Sequence, residues 1–264
     1  MNKYSYIHHV CFWVGNMSRI CNLYEHVKML KGGISIPNKE SCKILCIFSI
    51  MTDDYNDISI EKLRKEANDK VDIEILYWDN SGGTVKALYN VYKWLLNKSI
   101  VESKDIIVGT WEDDWCFNSS TWLEKIYDKL SSHIYVGALF TDNVEFLKVG
   151  YKFLSTYKDV NENTYNNTTT LSVRDHNGFI PQNYYKWTDG SPYITTFGKL
   201  KEMENLIGEF SLAPSEKYMH GKHGIYHGEV GFPTRLSVAG MTFYGFNYTI
   251  FVKPLKQETN VIHK

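Results

Sequence analysis

The sequence has no uninterrupted apolar run of about 18 residues, the length a membrane-spanning helix needs. It also lacks a cationic start followed by an apolar stretch, so no secretory leader is read at its beginning. A soluble, cytoplasmic protein is the expectation. Triplets such as Asn166-Asn167-Thr168 then carry no glycosylation signal. There is no excess of one charge: the net charge is −1, with acids and bases interspersed. Without a basic tail or stripe, a nucleic-acid partner is not expected. The cysteines are few and odd in number: Cys11, Cys21, Cys42, Cys46 and Cys116. They match no zinc spacing, and Cys42 and Cys46, which flank or sit in an apparent strand, read as buried thiols of a reducing compartment. G-x-G-x-x-G and G-x-x-x-x-G-K-S/T are both missing, which excludes the dinucleotide fingerprint and the P-loop.

What is present is a chain of 264 residues, enough for one large α/β domain or two small ones. Tyrosine is abundant; with tryptophan it lines sites for sugars and bases, and it also fills cores. The most informative stretch runs from Asp105 to Trp115. It starts as an apolar β-forming run, Ile106 to Val108, and ends in Glu112, Asp113 and Asp114. Three adjacent carboxylates at the end of a buried strand repel one another, and a cation among them relieves this. Mg²⁺ and Mn²⁺ take oxygen ligands, usually one or two carboxylates plus substrate phosphates. A solvated acidic turn is the plainer alternative, and the flanking Trp111 and Trp115 weigh against it.

Around this stretch, strands and helices alternate. Tyr6 to Val14 reads as a strand containing His8 and His9, whose side chains point to opposite faces. Asn16 caps a helix from Met17 to Leu30. Ile44 to Ile50 and Val71 to Tyr77 are strands, each followed by a polar loop and a helix, 59–68 and 84–96. Ile106 to Thr110 delivers the acids, a helix follows with Trp122, Ile126 and Leu130 repeating, and 134–140 is a further strand. Alternation of this kind gives an α/β fold with a doubly wound, mostly parallel sheet flanked by helices. Ligands bind beyond the carboxyl ends of such strands, where loops 52–57, 78–83 and 111–115 converge. Gly82 and Gly83, before a helix, either admit a phosphate to backbone N–H groups or make a plain tight turn.

Beyond residue 141 the alternation breaks. Residues 155–190 read as long loops or short antiparallel strands, Phe197 to Phe210 as a helix, and Tyr248 to Val252 as a late strand. His220, His223 and His227 are spaced H-x2-H-x3-H, but Gly221, Gly224 and Gly228 argue against a helical zinc site. A closing loop, an extra metal ligand and a zinc site all stay open for them.

The order of these signals resembles a GT-A-fold nucleotide-sugar glycosyltransferase, family 2-like, from about residue 43 to 245. The resemblance rests on Asn80-Ser-Gly-Gly-Thr-Val-Lys-Ala-Leu88, on the D-x-D-like Glu112-Asp113-Asp114, and on Glu229 followed by Arg235 and Leu236. It implies a sugar moved from a nucleoside-diphosphate donor to a hydroxyl of a carbohydrate or glycan acceptor, with inversion and with Mn²⁺ or Mg²⁺. It further implies donor contacts from Ser49, Asp54, Asp79, Gly82, Gly83, Asp113 and Arg235, and a metal held by Glu112 and Asp114 with His227. Glu229 becomes the catalytic base. Tyr184, Tyr185 and Trp187 are acceptor contacts on composition alone. The chain reads as a single domain over 1–264, with 1–41 an extension of unassigned role, 43–140 the nucleotide-sugar half, and 141–250 the C-terminal acceptor-side region. The rivals are a sugar-phosphate nucleotidyltransferase, a non-catalytic carbohydrate-binding protein on the same scaffold, and a zinc hydrolase built on the histidines. Residues 50–57 lack the Gly, Arg and Lys a nucleotidyltransferase carries there.

Overall fold

A computed structural model describes residues 4–37, 43–52, 56–79, 83–101, 103–132, 135–139, 152–158, 164–170, 188–210, 243–247 and 252–255. The first strand, β1 (Tyr6–Trp13), is buried along its whole length except for Trp13. It is followed by a 3₁₀ turn, Val14–Arg19, and by α1 (Ile20–Lys31). The helix therefore starts later than Met17. Asn16 is not its cap; its own φ of −106° and ψ of 36° break the turn there. Next come β2 (Ile44–Met51), a single helical turn α2 (Ile58–Glu61) continued by 3₁₀ residues, and β3 (Val71–Trp78). The α2 turn is capped by Asp57, whose carboxylate accepts from the Ser59 N–H. Then follow α3 (Gly83–Asn97), β4 (Ile107–Glu112), β5 (Trp115–Phe117), α4 (Trp122–Ser132) and β6 (Tyr135–Leu139).

The later chain is richer in strand than its composition indicates. β7 (Lys152–Lys158) and β8 (Thr164–Thr170) form a separate antiparallel pair. β9 (Thr188–Thr196) enters the main sheet and ends in Thr196, whose hydroxyl caps α5 (Phe197–Ile207). β10 (Phe243–Asn247) and β11 (Val252–Pro254) follow; of the late strand expected over 248–252, only Val252 lies within the described residues, at the start of β11.

The main sheet has seven strands in the order β10-β6-β9-β4-β1-β2-β3. All run parallel except β9, which lies antiparallel between β4 and β6. It is an α/β fold with a mostly parallel sheet and helices on both faces, as the alternation predicts. α1 and α4 cover one face over Tyr6, Val10, Phe12 and Trp111. α3 and α5 cover the other over Ile7, Leu45, Ile47 and Val108. Burial on both faces is why β1 and β2 read as near-continuous apolar runs.

The chain winds outward from β1 to β2 and β3, then returns to place β4 on the other side of β1. The topological switch point lies between β1 and β4. Ser49 is thus carried by the second strand, and Asp79 follows the third. Among the described residues, no helix is long and apolar enough to cross a membrane.

Candidate functional site at the β1–β4 switch point

Ligands of open α/β sheets bind beyond the strand ends at the switch point. Here that place is occupied by the acidic turn. Parallel pairing sets Cys11 of β1 opposite Glu112, the last residue of β4. Asp113 and Asp114 make the turn into β5, which pairs with β11. The turn's backbone is held from two sides. His26 Nε2 lies 3.2 Å from the Asp113 carbonyl, and the Leu255 N–H donates to the Asp114 carbonyl at 2.7 Å.

The three carboxylates have different surroundings. Asp113 is only 4% exposed and turns toward α1. Arg19 Nε donates to its Oδ2 at 2.9 Å, Arg19 Nη2 to its Oδ1 at 2.5 Å, and Asn22 Nδ2 to its Oδ2 at 3.2 Å. Burial raises the Asp113 pKa and the guanidinium opposes that rise. A bidentate pair at these distances favours the ionised form of Asp113.

Glu112 accepts from the Thr84 hydroxyl at 3.2 Å, which ties the strand end to the first turn of α3. Desolvation first, and then the Asp114 charge, push its carboxyl up to about 7. Asp114 Oδ2 lies 3.3 Å from Arg19 Nη2. Asp114 Oδ1 is buried and has no hydrogen-bond partner among the described residues. One guanidinium thus contacts two of the acids, and its charge partly offsets the rise of the third, Glu112.

Among the described residues, no three His, Cys, Asp or Glu side chains converge as a metal cage. Mg²⁺ and Mn²⁺ do not require one: they are commonly held by one or two carboxylates plus substrate phosphates. Glu112, whose charge is disfavoured by burial and then by Asp114, and Asp114, with an oxygen that has no partner among the described residues, fit that pattern.

The other expected residues divide into three groups. Gly83 opens α3 with φ of +61°, a left-handed conformation that favours glycine, and its neighbour Thr84 reaches Glu112. Asp79 is exposed just beyond β3. Ser49 lies beneath the edge rather than on it: fully buried, its Oγ is 2.8 Å from His9 Nε2 and accepts from Trp78 Nε1 at 2.9 Å. Asp54, Gly82, Tyr184, Tyr185, Trp187, His227, Glu229 and Arg235 lie outside the described residues, as do His220 and His223.

Several residues of the site were not singled out from the sequence. Arg19, Asn22 and His26 fall three and four residues apart, one polar stripe beside the apolar face of α1. That spacing is a usable signal, because Asn22 and His26 are both buried. His8 and His9 do point to opposite faces. His8 joins Tyr6 and His26 under α1, and His9 joins Ser49 and Thr110 on the α3 side.

No family model and no curated protein sequence matches the chain. Among solved structures it is similar to HddC from Yersinia pseudotuberculosis, at 13% identity and a TM-score of 0.46, over 92% of this chain and 89% of that one. It is also similar to 4-diphosphocytidyl-2C-methyl-D-erythritol synthase from Anaerococcus prevotii, at 11% identity and a TM-score of 0.45, over 92% and 88%. A third similarity is to the mannosyltransferase Ktr4p from S. cerevisiae, at 10% identity and a TM-score of 0.45, over 96% and 70%. None of these assigns an activity to this chain.

Proposed function

We propose that the protein is a glycosyltransferase that moves a sugar from a nucleoside-diphosphate donor to a hydroxyl of a carbohydrate acceptor, with inversion. The observation that carries this reading is the acidic turn at the β1–β4 switch point, with a buried oxygen on Asp114 that has no partner among the described residues.

Glu112 and Asp114 hold Mn²⁺ or Mg²⁺, with His227 as a third ligand. The ion supplies charge neutralisation for the departing nucleoside diphosphate. The N-terminus of α3, which starts at Gly83 and follows Gly82 in the sequence, receives a phosphate on its backbone N–H groups. Asp79 reads the base, Asp54 borders the nucleotide with Ser49 buried behind that edge, and Arg235 meets the diphosphate. Asp113 contributes on the donor side through its grip on Arg19. Glu229 accepts the proton of the acceptor hydroxyl as its oxygen attacks the anomeric carbon and the diphosphate leaves from the opposite face. Tyr184, Tyr185 and Trp187 pack on the acceptor and exclude water, which would otherwise hydrolyse the donor. Residues 43–140 form the nucleotide-sugar half, joined by β1 and α1, and 141–250 the acceptor half.

The test is a thermal-shift screen of nucleoside diphosphates and their sugars, with and without Mn²⁺, on wild type and Asp114→Ala. A metal-dependent shift lost in the variant is expected. Products are then identified: a free nucleoside diphosphate with a new glycoside supports the reading, whereas pyrophosphate release marks nucleotidyl transfer instead. A shift with Zn²⁺ alone would sink the reading and promote the histidine cluster.

A further inference from the structure

A directed hydrogen-bond relay runs from the core to the acidic turn. Trp111 Nε1 lies 3.1 Å from the Tyr6 hydroxyl oxygen. An indole N–H can only donate, so Tyr6 accepts there; the direction of the next link, Tyr6 O–H to His8 Nδ1 at 3.1 Å, is set from the far end, where the Asp113 carbonyl can only accept. His8 Nδ1 is then unprotonated, and neutral His8 carries its proton on Nε2. That N–H meets His26 Nδ1 at 2.9 Å. His26 in turn carries its proton on Nε2 and donates to the Asp113 carbonyl at 3.2 Å. Tyr6, His8, His26 and Trp111 are all fully buried. The relay begins at a group that only donates and ends at one that only accepts, so both histidine tautomers are fixed.

The Asp113 carbonyl belongs to the same planar peptide unit as the Asp114 N–H. Fixing its direction therefore constrains where the Asp114 side chain leaves the backbone. On the other side of that residue, the Leu255 N–H holds the Asp114 carbonyl. Asp113's carboxylate, gripped by Arg19 and Asn22, is occupied elsewhere.

We propose that His26 is a positioning residue: through the Asp113 carbonyl it sets the direction in which Asp114, beside Glu112, presents its carboxylate to a divalent cation. This rests on the metal reading of the turn. His26 touches neither carboxylate, so its influence on a cation runs through the backbone of the turn.

The experiment measures binding of Mn²⁺ alone, from the loss of the free-ion electron paramagnetic resonance signal, with folding of each variant checked by circular dichroism. Wild type binds and Asp114→Asn does not. His26→Leu binds roughly 10–100-fold more weakly, the usual cost of losing a group that orients a metal ligand. His26→Gln places an amide N–H near the Nε2 position and stays within a few-fold of wild type. Tyr6→Phe, which frees the His8 tautomer, weakens binding by about five-fold, in line with one lost hydrogen bond of about 1 kcal/mol. A folded His26→Leu that binds Mn²⁺ as tightly as wild type, while Asp114→Asn abolishes binding, would overturn the proposal. If His26→Leu does not fold, wild-type affinity in Tyr6→Phe does the same. Absence of Mn²⁺ binding in wild type sinks the metal reading itself, and the positioning role with it.

Discussion

Arg19 holds both carboxylate oxygens of Asp113, a residue 94 positions further along the chain, and so joins the turn after β1 to the turn after β4. The pair is asymmetric in burial: the Arg19 side chain is 22% exposed and that of Asp113 5%. Arg19→Met leaves a buried carboxylate without its counter-charge. Breaking a buried pair this way costs about 3–5 kcal/mol, and partial exposure of the guanidinium reduces that toward about 2–3. Adding Asp113→Asn removes the stranded charge and recovers about half. Urea unfolding of the two single variants and the double variant measures the coupling; strictly additive costs would contradict a direct pair.

Stability falls as the solution becomes acidic. His8, His9 and His26 are buried and their pKa values are lowered chiefly by desolvation, His9 to about 3 and His26 to about 4. In the unfolded chain each titrates near 6.5. Between that value and the folded values the unfolded state binds more protons, so stability is complete above about pH 6.5 and is lost as pH drops below it. Glu112 works the other way: raised to about 7, it takes its proton in the folded state first and is relieved of its cost as pH falls from 7 toward 4.5. Three histidine protons against one leave two, a slope of at most about 2.7 kcal/mol per pH unit. Denaturant midpoints measured without metal at pH 7.5 and pH 5.5 check this. Equal midpoints would mean that the histidines are not held neutral.

Gly109 marks a close approach on β4. A Cβ there would overlap the Tyr6 hydroxyl and come within 3.0 Å of Trp111 Nε1. Gly109→Ala therefore disturbs the first link of the relay and costs on the order of 2 kcal/mol, as overpacking does. Combining it with Tyr6→Phe frees the space the hydroxyl took. The double variant is expected to be at least about 1 kcal/mol more stable than the two separate losses sum to. Thermal unfolding of the four proteins decides it.

The helices and strands that pack against the sheet were legible because one period governs each. Val85, Leu88, Tyr92 and Leu95 recur on one side of α3, and all are buried there. The acidic triplet and the glycines before α3 were legible as a site because their chemistry is local: like charges side by side, and a left-handed backbone at Gly83. Other features had weaker signals. Thr188 to Thr196 does not alternate or form an apolar run, and it becomes a strand because β4 and β6 offer it backbone partners on both sides. Residues 6–13 read as a strand, yet nothing local reveals that this strand lies inside the sheet, between β4 and β2.

What the sequence determined by itself was the α/β class, the helical and strand periods, and the place of the carboxylates at a strand end, all consequences of side-chain type at short spacing. Tertiary structure decided which acid does what. Arg19 reaches Asp113, Thr84 reaches Glu112, and Asp114 keeps a buried oxygen without a partner among the described residues, because β1, β4 and α3 meet at one edge of the sheet. Burial and partner charge separate three chemically similar carboxylates, and both depend on residues far away in the chain.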